Sequence, residues 1–223
     1  MDVVSSMGTA NQYEAFKALI KPGVPKAQFR VFVLGPSLRP DEVVPRPSIK
    51  PDKHDSVVIH ARYLRYATKM ALEKAGYSVD FGETKEMLKF WDDYFGATDL
   101  GSAETLQADR ISGAIIVYPS SAGSLCELGM FAPDKLISEK SLAIVHKRYE
   151  KDSSFFRKAL LEVFMARNGR CEFKDYSDHD RCVEIATSFV AGKYQSLLRD
   201  HRMIETSELL KRKYHGTALQ AKR

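Results

Sequence analysis

Two short runs without a polar residue, Ala114-Ile115-Ile116-Val117-Tyr118 and Leu142-Ala143-Ile144-Val145, restrict the fold more than any other feature of the chain. A strand that is apolar at every position is covered on both faces, as in the centre of a parallel sheet. Parallel neighbours need crossover connections, so helices are expected between the strands. The sequence supplies them. Phe29 to Leu34 reads as a first strand that stops at Gly35-Pro36. Val57 to Ala75 carries Leu64, Ala67, Ala71, Leu72 and Ala75 at helical spacing, and Gly76 stands where a helix-ending glycine belongs. Tyr77 to Phe81 alternates as a second strand. A short helix capped by Ser102 is expected through Ile111, and helical turns begin again at Leu125. A further helix over Ser153 to Arg167, a last strand at Cys171-Glu172-Phe173 and a helix from His179 to Leu198 complete the pattern. The expected fold is α/β: a Rossmann-like parallel sheet flanked by helices.

At 223 residues the chain has room for one such domain with additions. We divide it into an N-terminal extension over 1–27, a domain over 28–198 and a basic segment over 199–223. The extension holds a short helical stretch, Asn11 to Ile20, ended by Lys21-Pro22-Gly23-Val24-Pro25. Residues 37–53 carry Pro40, Pro45, Pro47 and Pro51 and read as a long loop, uncommon unless it has a function. Met1 to Ile20 has no apolar run of the signal-peptide type, and no stretch approaches bilayer length, so a cytoplasmic location is expected.

The net charge is +5, with the excess gathered at the C-terminus: Arg199, Arg202, Lys211, Arg212, Lys213, Lys222 and Arg223 stand against Asp200, Glu205 and Glu208. Such a segment suits an anionic partner, though a charge run is often only solvated. Ile204, Leu209 and Leu210 add a thin apolar stripe. Cys126, Cys171 and Cys182 have unrelated spacings and read as reduced thiols, and the six histidines form no metal-like spacing, so no metal is expected.

In open parallel sheets ligands bind at the carboxyl ends of the strands, near the switch in strand order. Two loops qualify, Gly35-Pro36-Ser37 and Pro119 to Ser124. The second delivers a glycine and three serines into a helix whose first turns carry Glu127. Free N–H groups at a helix start, with hydroxyls beside them, suit a phosphate or a sugar hydroxyl. Glu127 has apolar neighbours, Leu125, Cys126, Leu128, Met130 and Phe131. A glutamate so placed can attack an anomeric carbon. It can also simply complement the helix dipole in the first turn. The patch Trp91, Asp92, Asp93, Tyr94 and Phe95 could stack a base or pack as core.

Val31 to Pro36, Tyr77 to Glu83 and the long segment Ile115 to Phe131, with Gly123-Ser124-Leu125-Cys126-Glu127-Leu128-Gly129 at its centre, resemble the nucleoside deoxyribosyltransferase-like superfamily. Within it they resemble the effector proteins of bacterial retrons, phage-defence toxins that work with a reverse transcriptase and its multicopy single-stranded DNA. The likeness spans Phe29 to Tyr176. It implies Glu127 as the catalytic nucleophile, with Gly35, Pro36, Glu83, Ser120, Gly123 and Ser124 lining the substrate pocket. It also implies an N-glycosidase toxin acting on NAD or another nucleotide as substrate, without a separate cofactor. The implied partners are the reverse transcriptase and its RNA–DNA hybrid, and homo-oligomerisation is left open. Many relatives carry an aspartate before the third strand where this chain has Ser112-Gly113, and Asp109 is the nearest carboxylate that could take its place. Two other functions fit the residues: a housekeeping deoxyribosyltransferase, and a nucleotide- or nucleic-acid-binding module without catalysis.

Overall fold

The computed structural model describes residues 25–37, 50–82, 89–93, 96 and 99–220, with side chains described through residue 200. The chain divides into two compact units. One is Lys26–Tyr194; of the other, the described residues are Pro25 and the helical stretch 195–220.

Five parallel strands form the sheet of the first unit: β1 (Arg30–Leu34), β2 (Ser78–Asp80), β3 (Ala114–Val117), β4 (Ser141–His146) and β5 (Arg170–Lys174). Their spatial order is β2-β1-β3-β4-β5. The chain therefore builds outward from β1 in one direction to β2 and in the other to β3, so the switch point lies between β1 and β3. The register pairs Val31 with Ala114 and Leu34 with Val117, which brings the carboxyl ends of these two strands level.

The helices are α1 (Val57–Lys74), α2 (Leu100–Leu106), α3 (Ala122–Phe131), α4 (Lys135–Glu139), α5 (Glu162–Ala166) and α6 (His179–Gln220). One face of the sheet buries Phe32, Leu34, Ile115, Val117, Ala143 and Val145 against Ala103, Leu128, Phe131, Ile137 and Phe164 of α2 to α5 and against Leu161, the residue before α5. Alternate strand residues face the other way. There α1 meets the sheet, its Thr68 hydroxyl 2.6 Å from that of Tyr118. Tyr176 donates to the carbonyl of Ile144 at 2.6 Å. Ser56 caps α1, and Gly76 follows it with φ 91°, the left-handed conformation that glycine adopts without strain.

Several local expectations need correction. The cap of α2 is Asp99, whose carboxylate accepts from the Ser102 amide at 2.8 Å and from its hydroxyl at 2.7 Å; aspartate makes the stronger, charge-assisted cap. The same helix passes into a π-turn at Gln107–Ile111, where Ser112 donates both amide and hydroxyl to the Gln107 carbonyl. The helix of the serine loop begins at Ala122 rather than Leu125, because Ser121 caps it. The stretch expected as one helix over Ser153 to Arg167 is a π-turn, Phe156–Leu161, followed by α5. α4, capped by Asp134, was not anticipated. α6 runs on as helical backbone to Gln220, past the expected end at Leu198. The Asn11 to Ile20 stretch, most of the proline loop, Tyr94 and Phe95 lie outside the described residues, and the side chains of Ile204, Leu209, Leu210 and the cations beyond Arg199 are not described.

Candidate functional site

The loops after β1 and β3 leave neighbouring strands side by side. The Tyr118 amide donates to the Leu34 carbonyl at 3.0 Å. A Cβ on Gly35 would lie 3.3 Å from Cδ of Arg65 and 3.4 Å from Tyr118, so this turn is close-packed.

The segment Ser120 to Ser124 is held by its own hydroxyls. Ser121 and Ser124 form a capping box, and Ser124 Oγ accepts from the amides of both Ser120 and Ser121 at 3.0 Å. Ser124 is fully buried, and its hydroxyl also lies 3.0 Å from the Ser121 carbonyl. Its oxygen is thus engaged in holding the turn. Two other groups are available. Ser120 Oγ is buried with no hydrogen-bond partner among the described residues, and Gly123 is exposed with nothing within 4 Å of the position a Cβ would take.

Glu127 shares the buried stripe of α3 with Ser124, Leu128 and Phe131, at the i, i+3, i+4, i+7 spacing of a core-facing helix face. It is only 9% exposed. No acidic residue stands in the first turn of α3, so the reading of Glu127 as a surface complement to the helix dipole fails. Side chains lean toward the start of their helix, and α3 starts at the carboxyl edge; the carboxylate therefore leans toward the serine turn.

A second buried carboxylate stands at the same edge, one that sequence reasoning passed over. Glu104 of α2 is 2% exposed. A Cβ on Gly82, just past β2, would come within 2.3 Å of Glu104 Oε1 and 3.2 Å of Leu34 Cδ2, so this carboxylate packs over the ends of β1 and β2. Helical spacing in Ser102 to Ile111 cannot distinguish such a residue from a surface glutamate. Asp109, by contrast, does not reach the site. It lies in the π-turn at the amino edge, 2.9 Å from Arg110, with its carbonyl accepting from Lys140, the residue before β4. Nor is there space at Gly113 for the aspartate that the resemblance would lead one to expect: a Cβ there would fall 2.5 Å from the Phe29 ring.

Glu83 lies outside the described residues. Trp91 belongs to the core, 1% exposed, with its indole N–H donated to Gln107 Oε1 at 3.2 Å. Burial pushes the thiols of Cys171 and Cys182 up to about 12, which keeps both protonated and poorly nucleophilic near neutrality. His60 and His179 meet in the fold, Nδ1 to Nε2 at 2.9 Å. Among the described residues no group of three or more His, Cys, Asp or Glu side chains is arranged to hold a metal ion, and no helix is long and apolar enough to cross a membrane.

These features define a doubly wound α/β protein with a serine turn and a buried glutamate at the switch point of its sheet. Residues 63–213, more than half of the chain, match the family described as STM3845 retron effector protein, and the chain belongs to that family. The match takes in Glu127, Glu104 and the serine turn but not Gly35 or Pro36. No curated protein matches the chain. The protein is a retron effector, associated with a retron system.

Proposed function

We propose that this effector cleaves the N-glycosidic bond of a nucleotide, NAD among the candidates, with Glu127 as nucleophile, in the manner of the nucleoside deoxyribosyltransferase-like superfamily that its motifs resemble. The observation that carries this reading is the burial of Glu127 on the core-facing stripe of α3, one turn from the serine turn at the switch point. A carboxylate kept from solvent at a ligand-binding edge suits attack on carbon better than a role in surface charge. In the first step a Glu127 oxygen bonds to the anomeric carbon as the bond from that carbon to the base breaks. The base leaves with the electron pair; nicotinamide departs neutral, whereas an adenine or pyrimidine takes up a proton. Water then attacks the anomeric carbon, loses a proton, and releases the sugar and the Glu127 carboxylate. Ser120 and the open backbone at Gly123 bind sugar hydroxyls or phosphate. Glu104, in place of Asp109, supplies the second carboxylate. Gly35 and Pro36 complete the pocket, Glu83 is the further contact that the resemblance implies, and the partners are the retron reverse transcriptase with its RNA–DNA hybrid.

The test is to incubate purified protein with nucleosides, nucleotides and NAD and to follow released base by chromatography. Base released from a nucleotide or NAD supports the reading. Release only when a second base is present as acceptor points to a transferase, and binding without release to a non-catalytic module.

A further inference from the structure

We infer that Arg65 is a positioning residue of the candidate site, a buried guanidinium that holds the turn after β1 against the end of β2. Arg65 lies in α1 and is 0% exposed. Its Nε donates to the Val33 carbonyl at 3.0 Å, and its Nη1 to the carbonyls of Gly35 at 3.3 Å and Pro36 at 3.0 Å. Its guanidinium carbon stands 4.7 Å from the ring centroid of Phe81, the residue after β2, and Lys69 approaches the same ring at 4.8 Å. Tyr66, the next residue of α1, meets Phe81 edge-on at 5.7 Å.

Enclosing a guanidinium is costly unless its donors are satisfied, and an apolar residue would pack this helix face at a smaller cost. The cation has a use that an apolar residue lacks. Strand ends of a parallel sheet leave carbonyls without ladder partners, and a planar fork can take several of them at once from fixed directions. Gly35 has almost no free space in this arrangement, since its hypothetical Cβ already touches Arg65 Cδ and Tyr118. One side chain thereby ties the turn carrying Gly35 and Pro36 to Phe81 and Gly82, over which the Glu104 carboxylate packs. Lysine would keep the charge but reach fewer carbonyls; methionine would keep much of the volume and none of the donors.

The clamp is read without substrate, by hydrogen exchange in Arg65→Lys and Arg65→Met at the amides of Gly35, Ser37, Phe81 and Gly82, with β4 amides as reference. Exchange at those four amides should rise by about tenfold or more in Arg65→Met, with β4 unchanged, as expected for loss of hydrogen bonds to a charged donor. Arg65→Lys should fall between it and the wild type. The kinetic consequence rests on the glycosidase reading: KM rises by about tenfold while kcat falls less, because the pocket wall is loosened and the nucleophile is untouched. If Arg65→Met does not fold, Arg65→Lys decides the question. Wild-type exchange and KM in Arg65→Lys, or exchange rising evenly across the whole sheet, would overturn the assignment. Should the wild type release no base from any substrate, the glycosidase reading fails and the exchange pattern alone judges the clamp.

Discussion

Ser124 accepts the amide protons of Ser120 and Ser121 on a single buried oxygen, so the turn that enters α3 is shaped before any ligand arrives. Ser124→Ala leaves two backbone donors without that acceptor and removes half of the capping box. The expected loss is about 1–3 kcal/mol of stability, read as a lower midpoint in urea unfolding, with a fall in base release. Ser120→Ala is the contrast. Its hydroxyl has no partner among the described residues, so stability should change by less than about 0.5 kcal/mol while KM rises. Equal destabilisation by the two substitutions would contradict this division of labour.

Glu127→Gln keeps the shape of the side chain and removes its nucleophilicity. Base release should fall by at least about a thousandfold, with the unfolding midpoint close to that of the wild type. A variant that still turns over near the wild-type rate removes Glu127 from the chemistry.

How far the sequence discloses such a site depends on whether the burial of a residue is local or tertiary. β3 and β4 were legible because a strand covered on both faces has no polar position to confuse its pattern; β3 ends one residue before the expected run and β4 extends one residue past it at each end. The two candidate loops followed from the rule that ligands bind at the carboxyl ends of parallel strands, whereas the strand order that puts them side by side came from the fold. Arg65 and Glu104 were not legible. Each is a charged residue in an amphipathic helix, and what buries it is carbonyls or a glycine contributed by the ends of β1 and β2 and the turns after them. His60 and His179 are 119 positions apart and meet only because α1 and α6 come together. The helix starts were misplaced where two polar side chains competed for the cap, Asp99 over Ser102 and Ser121 over the residues after it.

Gly82→Ala tests whether Glu104 belongs to the site. The added methyl would meet Glu104 Oε1 at 2.3 Å and Leu34 at 3.2 Å, and the end of the flexible glutamate is what can yield. The carboxylate then shifts while the sheet stays, so stability should fall by about 1–3 kcal/mol and base release by about a hundredfold. A wild-type rate in Gly82→Ala, together with a wild-type rate in Glu104→Gln, would reduce Glu104 to packing.

The histidines of the carboxyl edge predict how stability responds to acid. Burial holds His179 below its ordinary 6.5, and the neighbouring His60 and Lys50 act in the same direction, outweighing Asp178 and Asp180. His146, at the end of β4, is also held down chiefly by burial, with Asp175 opposing. Both are neutral in the folded protein near neutrality, whereas in the unfolded chain they take up protons as the pH falls past about 6.5. The unfolded state then binds more protons than the folded one, so stability increases with pH across this window and is fully present above it. The unfolding free energy should be flat from about pH 8 to about pH 7 and decline below about 6.5, by at most about 1.4 kcal/mol per pH unit for each histidine. Asp175 acts lower still. Its carboxyl is held well below the ordinary 3.8, first by the Lys147 ammonium at 2.6 Å, so its contribution disappears only as the pH falls beneath that value. His179→Gln keeps a hydrogen-bonding side chain opposite His60 and removes one titrating group. The variant should lose part of the slope between about pH 6.5 and about pH 5 in urea titrations repeated across pH. An unchanged slope would place the acid sensitivity elsewhere in the chain.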